Sequence, residues 1–199
     1  MWNERYQTEE FVYGKSPNDF LAFAIEQIKR RGTLLSLGEG EGRNAIFLAK
    51  HDFSVTALDL SDVGLSKAKK LAQEAGVAIE TIVADLSDYT IPRESYDVIV
   101  SIFCHLPSEL QKRVNANIVN ALKPGGFLIL EGFSKDQLAF NSGGPRTPEM
   151  LLSLETVQEE LQGLEFVISR QLERELSEGP LHSGRCSVVQ ILATKIAPH

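Results

Sequence analysis

The sequence predicts an α/β fold built on a mostly parallel sheet with helices over both faces. Three observations predict it. Short apolar runs rich in Val, Ile and Leu recur along the chain, and longer stretches of helical periodicity separate them. Near the end that rhythm breaks, and two apolar runs follow one another with no helical pattern between them.

Taken in order, residues 33–38 read as the first strand, stopping at a cluster of glycines. Residues 42–51 read as a helix and 53–59 as the second strand. Ser61 caps a helix carrying Leu65, Ala68, Leu71, Ala72 and Ala75 on one face, and Gly76 ends it. Residues 78–83 form the third strand and 96–101 the fourth. Ser108-Glu109-Leu110-Gln111 has the form of a capping box and opens a helix to Leu122. Lys123-Pro124-Gly125-Gly126 then turns the chain into a fifth strand, 127–131. Residues 164–172 and 187–195 are the last two strands. Without a crossover helix they are expected to pair antiparallel, so the sheet ends in a hairpin.

Two segments lie outside this layout. Residues 1–16 precede the first helix, and 131–147 form a long polar connection with Asn141-Ser142-Gly143-Gly144-Pro145 at its centre. Long connections in compact domains are usually functional. Both are expected to act as lids over the sheet edge where ligands bind, the alternative being a plain surface loop.

Composition narrows the function classes. The 199 residues fit one domain with a sizeable core. Net charge is −7 and basic runs are short, which disfavours a nucleic-acid partner. Two cysteines are too few for a disulfide framework. The first residues, Met-Trp-Asn-Glu-Arg-Tyr, show no signal-peptide pattern, and no apolar run approaches a membrane span. A cytoplasmic protein with no obligate protein partner and no metal is expected.

The chemistry concentrates in Gly38-Glu39-Gly40-Glu41-Gly42-Arg43-Asn44, between a strand and a helix. Glycine suits a sharp turn that lets backbone approach a ligand closely. The dinucleotide fingerprint needs a glycine at the sixth place, where this chain has Arg43, and Glu39 and Glu41 would repel a pyrophosphate. A cofactor without phosphate fits better. Asp59 closes the second strand, where a carboxylate accepts from two ribose hydroxyls; the alternative is a helix-capping Asp. Asp85-Leu86 after the third strand offers an acceptor and an apolar face to an adenine.

These segments, with Ala57-Leu58-Asp59-Leu60-Ser61, Tyr96-Asp97-Val98-Ile99 and Leu122-Lys123-Pro124-Gly125-Gly126, resemble the ordered motifs of class I S-adenosylmethionine-dependent methyltransferases. Gly42-Arg43-Asn44-Ala45, the short chain and the Tyr13-Gly14…Pro17-Asn18 start are similar to the tellurite-resistance (TehB-like) and thiol methyltransferase branch. Glu39 departs from that branch, where Cys or another residue is common. The resemblance implies a Rossmann-like three-layer sandwich whose seven-stranded sheet runs 3-2-1-4-5-7-6 with strand 7 antiparallel. It implies Gly38, Glu39, Gly40, Gly42 and Asn44 under the methionine part of S-adenosylmethionine, and Asp59 on its ribose. Leu60, Asp85 and Leu86 would then surround adenine, with Ser101, Ile102 and Phe103 beside the sulfonium. Arg5 and Tyr13 close over the cofactor, whose product is S-adenosylhomocysteine. The implied acceptor is a small molecule with a soft nucleophile, a thiol or a tellurium or selenium oxyanion.

Methyl transfer from a sulfonium needs chiefly alignment, and an alcohol or amine acceptor also benefits from a base. Ligands sit outside the carboxyl ends of parallel strands, and an antiparallel last strand begins at that same edge. His105, His182 and Arg185 are therefore the catalytic candidates. His105 reads either as a base or as a histidine packed on the following helix. His182 and Arg185 would grip or deprotonate the acceptor, and Arg146 in the connecting segment would clamp an oxyanion or stay solvated. Cys104 and Cys186 approach the same rim without the spacing of a zinc site. A nucleotide-dependent oxidoreductase and a non-catalytic cofactor-binding module are the competing readings.

Overall fold

The computed structural model describes residues 2–197. Its helices are α1 (Trp2–Tyr6), α2 (Asp19–Glu26), α3 (Arg43–Lys50), α4 (Asp62–Ala75), α5 (Ser108–Ala121) and α6 (Leu154–Glu160). Its strands are β1 (Thr33–Leu37), β2 (Ser54–Asp59), β3 (Glu80–Val83), β4 (Tyr96–Ile102), β5 (Leu122–Phe133), β6 (Leu164–Ser177) and β7 (Ser183–Lys195). They form one sheet in the order β3-β2-β1-β4-β5-β7-β6. β1 to β5 pair in parallel, and β7 runs antiparallel to both β5 and β6. The sheet is the mostly parallel, three-layer arrangement that the resemblance implied.

The apolar strands follow from burial on both faces. Leu34 of β1 joins the core under α2, α3 and α4, while its neighbour Leu35 joins the core under α5 and α6. In β4, Val98 and Val100 face the first core and Ile99 the second. Successive residues of a strand point to opposite faces, so a strand covered on both sides must be apolar throughout. α4 starts and stops where the sequence says. The Ser61 hydroxyl accepts from the Gly64 N–H at 3.0 Å, and Gly76 ends the helix at φ 69°.

Several elements differ from expectation. Ser108 is the first residue of α5 rather than its cap, and its hydroxyl donates to the Glu149 carbonyl at 2.8 Å, so the capping box does not form. β5 begins at Leu122, and Lys123-Pro124-Gly125-Gly126 is a bulge between the Tyr96–Leu122 and Val98–Phe127 pairings. β6 and β7 reach 14 and 13 residues, well past the expected boundaries. Their outer half was hidden because β6 is an edge strand whose Arg170, Glu173 and Glu175 face water, as edge strands commonly arrange. α6 was not expected. Ser153 caps it at Thr156, and Val157 anchors it in the lower core.

The 131–147 connection is tied down. β5 continues to Phe133, a 3-10 stretch follows at Lys135–Ala139, and buried Gln137 organises the rest. Its amide donates to the Ser142 hydroxyl and the Gly143 carbonyl, both at 3.0 Å, and its carbonyl accepts from the Ser187 N–H at 3.0 Å. Among the described residues no helix is long and apolar enough to cross a membrane.

Candidate active site

The glycine loop leaves β1 with Gly38, Gly40 and Gly42 at φ 61°, 65° and 95°. A side chain is excluded there by space as well as by backbone conformation. A Cβ on Gly38 would lie 2.9 Å from Cys104 Sγ, on Gly40 2.6 Å from the Tyr6 hydroxyl, and on Gly42 2.6 Å from the Ala68 methyl. The loop is thus hemmed in by the exit of β4, by the leading segment and by α4.

Both acids of the loop use their oxygens on the fold itself. Glu39 accepts from the Ser36 hydroxyl and, at 2.8 Å, from the Ala45 N–H, so it caps the amino end of α3. Burial pushes its pKa up to about 7. Glu41 accepts from the Val12 N–H at 2.9 Å and pairs with the Lys67 ammonium, which also donates to the carbonyls of Thr8 and Glu10 at 2.9 and 2.8 Å. This buried acid is what fastens residues 6–13 to α4.

Asp59 accepts from the Gly40 N–H at 2.8 Å and from the Ser61 N–H at 2.7 Å, one on each carboxylate oxygen. Burial raises its pKa despite these bonds. Each oxygen keeps a second lone pair, so two ribose hydroxyls can still donate to it. Beside it the apolar side chains of Leu60 (54% exposed) and Val83 (57% exposed) lie open at the carboxyl ends of β2 and β3, whose Asp59 and Val83 pair directly. Exposed Asp85 accepts from the Ser87 N–H with one oxygen, and Leu86 is buried in the lower core. Open apolar faces, a paired carboxylate and a glycine turn suit the adenosyl end of S-adenosylmethionine.

At the end of β4, Ser101 and Ile102 are buried, and Phe103 takes φ 52°, a left-handed conformation that is costly for a bulky residue. A 2.7 Å bond from its N–H to the Glu131 carbonyl and a cluster of rings hold it. The Phe103 ring lies 4.6 Å from Phe133 and 4.8 Å from His182, and His182 lies 5.3 Å from Phe133 and 4.6 Å from Tyr13. Tyr13 in turn accepts from the Arg5 guanidinium at 2.9 Å. Gly143 and Gly144 press on the same cluster, since a Cβ would lie 2.8 Å from His182 Cδ2 and 2.5 Å from Phe133 Cδ2. The leading segment and the 131–147 connection therefore meet at one imidazole.

His182, 7% exposed, occupies the turn between β6 and β7. Its Nδ1 stands 3.9 Å from Glu178 Oε2 and has no hydrogen-bond partner. Burial lowers its pKa, leaving a neutral imidazole at pH 7. His105 is engaged differently. Its Nδ1 bonds the Met150 carbonyl at 2.9 Å, and its Nε2 accepts from the Phe133 N–H at 3.3 Å. Both ring nitrogens are used, the tautomer is fixed, and burial holds the pKa down to about 4. This is the packed-histidine reading rather than that of a base.

The two arginines expected on the acceptor are occupied elsewhere. Arg185 is 66% exposed and pairs with Glu173 across the hairpin at 2.6 Å, because alternate residues of β7 face opposite ways and Cys186 takes the inward place. Arg146 donates to the Phe140 carbonyl and Asn141 Oδ1, closing its own loop. Burial, with the Asp59 charge adding to it, pushes the Cys104 thiol up to about 12. Among the described residues no group of three His, Cys, Asp or Glu side chains is placed to hold a metal.

Sequence reasoning missed the charged cluster beside the site. Glu178 accepts from Arg43 at 2.7 Å, Asn18 at 2.8 Å and Arg174 at 3.1 Å, while Glu131 accepts from Asn18, Arg174 and Gln190. Burial opposes ionisation of Glu178, but His182, Arg43 and Arg174 outweigh it and hold its pKa at about 2. The available signal was a charge ending an apolar strand, Leu128-Ile129-Leu130-Glu131, and an amide inside another, Val189-Gln190-Ile191.

Comparison with known proteins agrees with this geometry. A methyltransferase domain family matches residues 34–126. A 2-heptyl-1-hydroxyquinolin-4(1H)-one methyltransferase of Mycobacteroides abscessus is 32% identical over 61% of this chain and 55% of its own length. TehB of Haemophilus influenzae, a probable S-adenosyl-L-methionine-dependent methyltransferase, is 29% identical over 53% of this chain and 37% of its own. Its crystal structure superposes with a TM-score of 0.74 at 21% identity, covering 98% of this chain and 65% of TehB, a likeness of fold. The chain spans about half or less of the length of these curated relatives. With the family match over the glycine loop and the strands that carry it, the chain is similar to class I S-adenosylmethionine-dependent methyltransferases, TehB among them.

Proposed function

We propose that the chain transfers a methyl group from S-adenosylmethionine to a small-molecule acceptor held beside Phe103 and His182. The observation that carries this reading is the unpartnered Nδ1 of His182, buried among Tyr13, Phe103 and Phe133 at the carboxyl edge that also holds the glycine loop and Asp59. The cofactor supplies a methyl group already activated on a sulfonium. Gly38, Gly40 and Gly42 let the backbone approach its methionine part, Glu39 and Asn44 shape that turn, and Asp59 takes the ribose. Leu60, Val83, Asp85 and Leu86 border adenine, and Ser101 and Phe103 border the sulfur.

Residues 6–13 and 141–144 act as lids that exclude water from the rings. The acceptor's nucleophilic atom bonds the methyl carbon as the carbon–sulfur bond breaks, and the electron pair stays on sulfur, giving S-adenosylhomocysteine. The acceptor's proton passes to neutral His182, which ionised Glu178 keeps ready to receive it. Residues 1–199 work as one domain, in the cytoplasm, without a nucleic-acid or obligate protein partner. Net charge −7 supports the exclusion of nucleic acid.

A soft nucleophile, a thiol or a tellurium or selenium oxyanion, is the first acceptor class, supported by the likeness to TehB. A flat aromatic hydroxyl is the second, favoured by the box of rings around His182 and by a relative named for a hydroxyquinolone. The test is methyl transfer from labelled cofactor to thiols, selenite, tellurite, arsenite and a 1-hydroxyquinolone. Transfer to a soft acceptor alone supports the first class, and transfer to the quinolone alone supports the second. If the chain binds S-adenosylhomocysteine and methylates nothing on a broad panel, the enzymatic reading fails.

A further inference from the structure

Four buried side-chain atoms lack a partner among the described residues, and three belong to the cluster around Glu178: Arg43 Nη1, Arg174 Nε and His182 Nδ1. Arg174 is nonetheless held by Glu131, Glu178 and Asp19. Arg43 has one partner. Its Nη2 donates to Glu178 at 2.7 Å while Nη1 is left bare, in a side chain only 8% exposed. A buried guanidinium N–H without an acceptor is costly, which makes its vacancy informative.

Arg43 is the first residue of the eight-residue helix α3, directly after Gly42. Its charge acts on Glu39, Tyr13 and His182 alike, so the guanidinium lies between the glycine loop, the leading segment and the hairpin turn. The amino-acid end of the cofactor must sit on this loop, and it brings a carboxylate that needs N–H donors. The other cations at the loop are spoken for. Lys67 is saturated by Glu41 and the carbonyls of Thr8 and Glu10, and Arg5 is bound to Tyr13 and stacked on Trp2. Glu41 in the loop and Asp59 beside it would repel a carboxylate unless a cation offset them.

Resting on the proposed function, we infer that Arg43 Nη1 holds the carboxylate of the cofactor's amino-acid end. Glu178 fixes the guanidinium from the other side. Arg43 thereby links the cofactor seat to the same carboxylate that faces His182, so an occupied seat and an ordered acceptor site share one residue.

The test measures binding rather than turnover. S-adenosylhomocysteine, its methyl ester and 5′-methylthioadenosine, which lacks the amino-acid end, are titrated by calorimetry into the wild-type chain, Arg43→Gln and Arg43→Lys. Arg43→Gln should weaken S-adenosylhomocysteine by about 10- to 100-fold and leave 5′-methylthioadenosine unchanged. The ester should bind the wild type weakly and gain nothing from Arg43. Equal weakening of S-adenosylhomocysteine and 5′-methylthioadenosine, or of neither, overturns the inference. If Arg43→Gln melts early, Arg43→Lys carries the same comparison with the charge retained, and it should lose a smaller part of the affinity for S-adenosylhomocysteine and none of that for 5′-methylthioadenosine. Failure of the folded wild type to bind any of the three overturns the proposed function itself, a distinct result.

Discussion

The ring of Tyr13 rests 4.6 Å from the imidazole of His182, joining residues far apart in sequence across the carboxyl edge of the sheet. The join is made in backbone too. Gly179 stands so close to the leading segment that a Cβ would lie 2.6 Å from the Gly14 nitrogen, and both glycines have positive φ. The leading segment and the last hairpin thus close the site from opposite ends of the chain.

Tyr13→Ala should loosen that closure. Removing the ring forfeits an aromatic pairing of about 0.5–1.5 kcal/mol and frees Arg5. Limited trypsin digestion should then cut after Arg5 and Lys15 faster than in the wild type, with the remainder of the chain resistant. An unchanged cutting rate would mean that the segment is latched elsewhere.

The two histidines should separate by their phenotypes. His182→Gln should lower methyl transfer by about 10²- to 10⁴-fold if the imidazole accepts the acceptor's proton, with cofactor affinity intact. His105→Gln should cost about 1–3 kcal/mol of stability by breaking its bonds to Met150 and Phe133, with transfer in the folded protein intact. Because burial holds the His182 pKa below 6.5, the wild-type rate should be level around neutrality and fall only in acid. Matching rate losses in both variants would contradict the assignment.

Asp59→Ala should weaken S-adenosylhomocysteine by about 1–3 kcal/mol, measured by titration of folded protein. The variant also orphans the Gly40 and Ser61 N–H groups, so a lowered melting temperature is expected alongside. A stable variant with full affinity would remove the carboxylate from the ribose.

Glu39 gives stability a pH dependence. Its carboxyl is neutral in the fold up to about pH 7, whereas in the unfolded chain it ionises near 4.5. Between those values the folded state holds the extra proton, so this group's contribution is complete below pH 4.5 and is lost as pH rises through about 7. Glu39→Gln should abolish that decline, by up to about 3 kcal/mol between acid and mildly alkaline pH. Denaturant titrations of both chains at about pH 5 and about pH 8 decide it. Identical changes in the two would show Glu39 ionised throughout.

The sequence made the sheet and the glycine loop readable because their signals are local. Leu34 and Leu35 announce a strand buried on both faces, and Ser61 and Gly76 bound a helix by their own backbone chemistry. The glycine loop is one continuous stretch. The candidate acceptor side was readable only in outline, since topology brings residue 182 to the carboxyl edge but cannot say which way a neighbouring side chain turns. Arg185 and Cys186 differ by one residue and face opposite directions. The ring box gathers Tyr13, Phe103, Phe133 and His182 from four separate elements, and the Arg43–Glu178 pair spans 135 residues. No local pattern encodes such meetings.

Lys67 carries a kinetic consequence. Its ammonium is shared between Glu41 and the carbonyls of two residues in the segment that overlies the glycine loop. If the segment is the lid proposed above, that cation would have to surrender its neutral acceptors, while still bound to its acid, before spent cofactor could leave. Departure is therefore expected to pace the catalytic cycle, and a burst of first-turnover product should precede a slower steady rate.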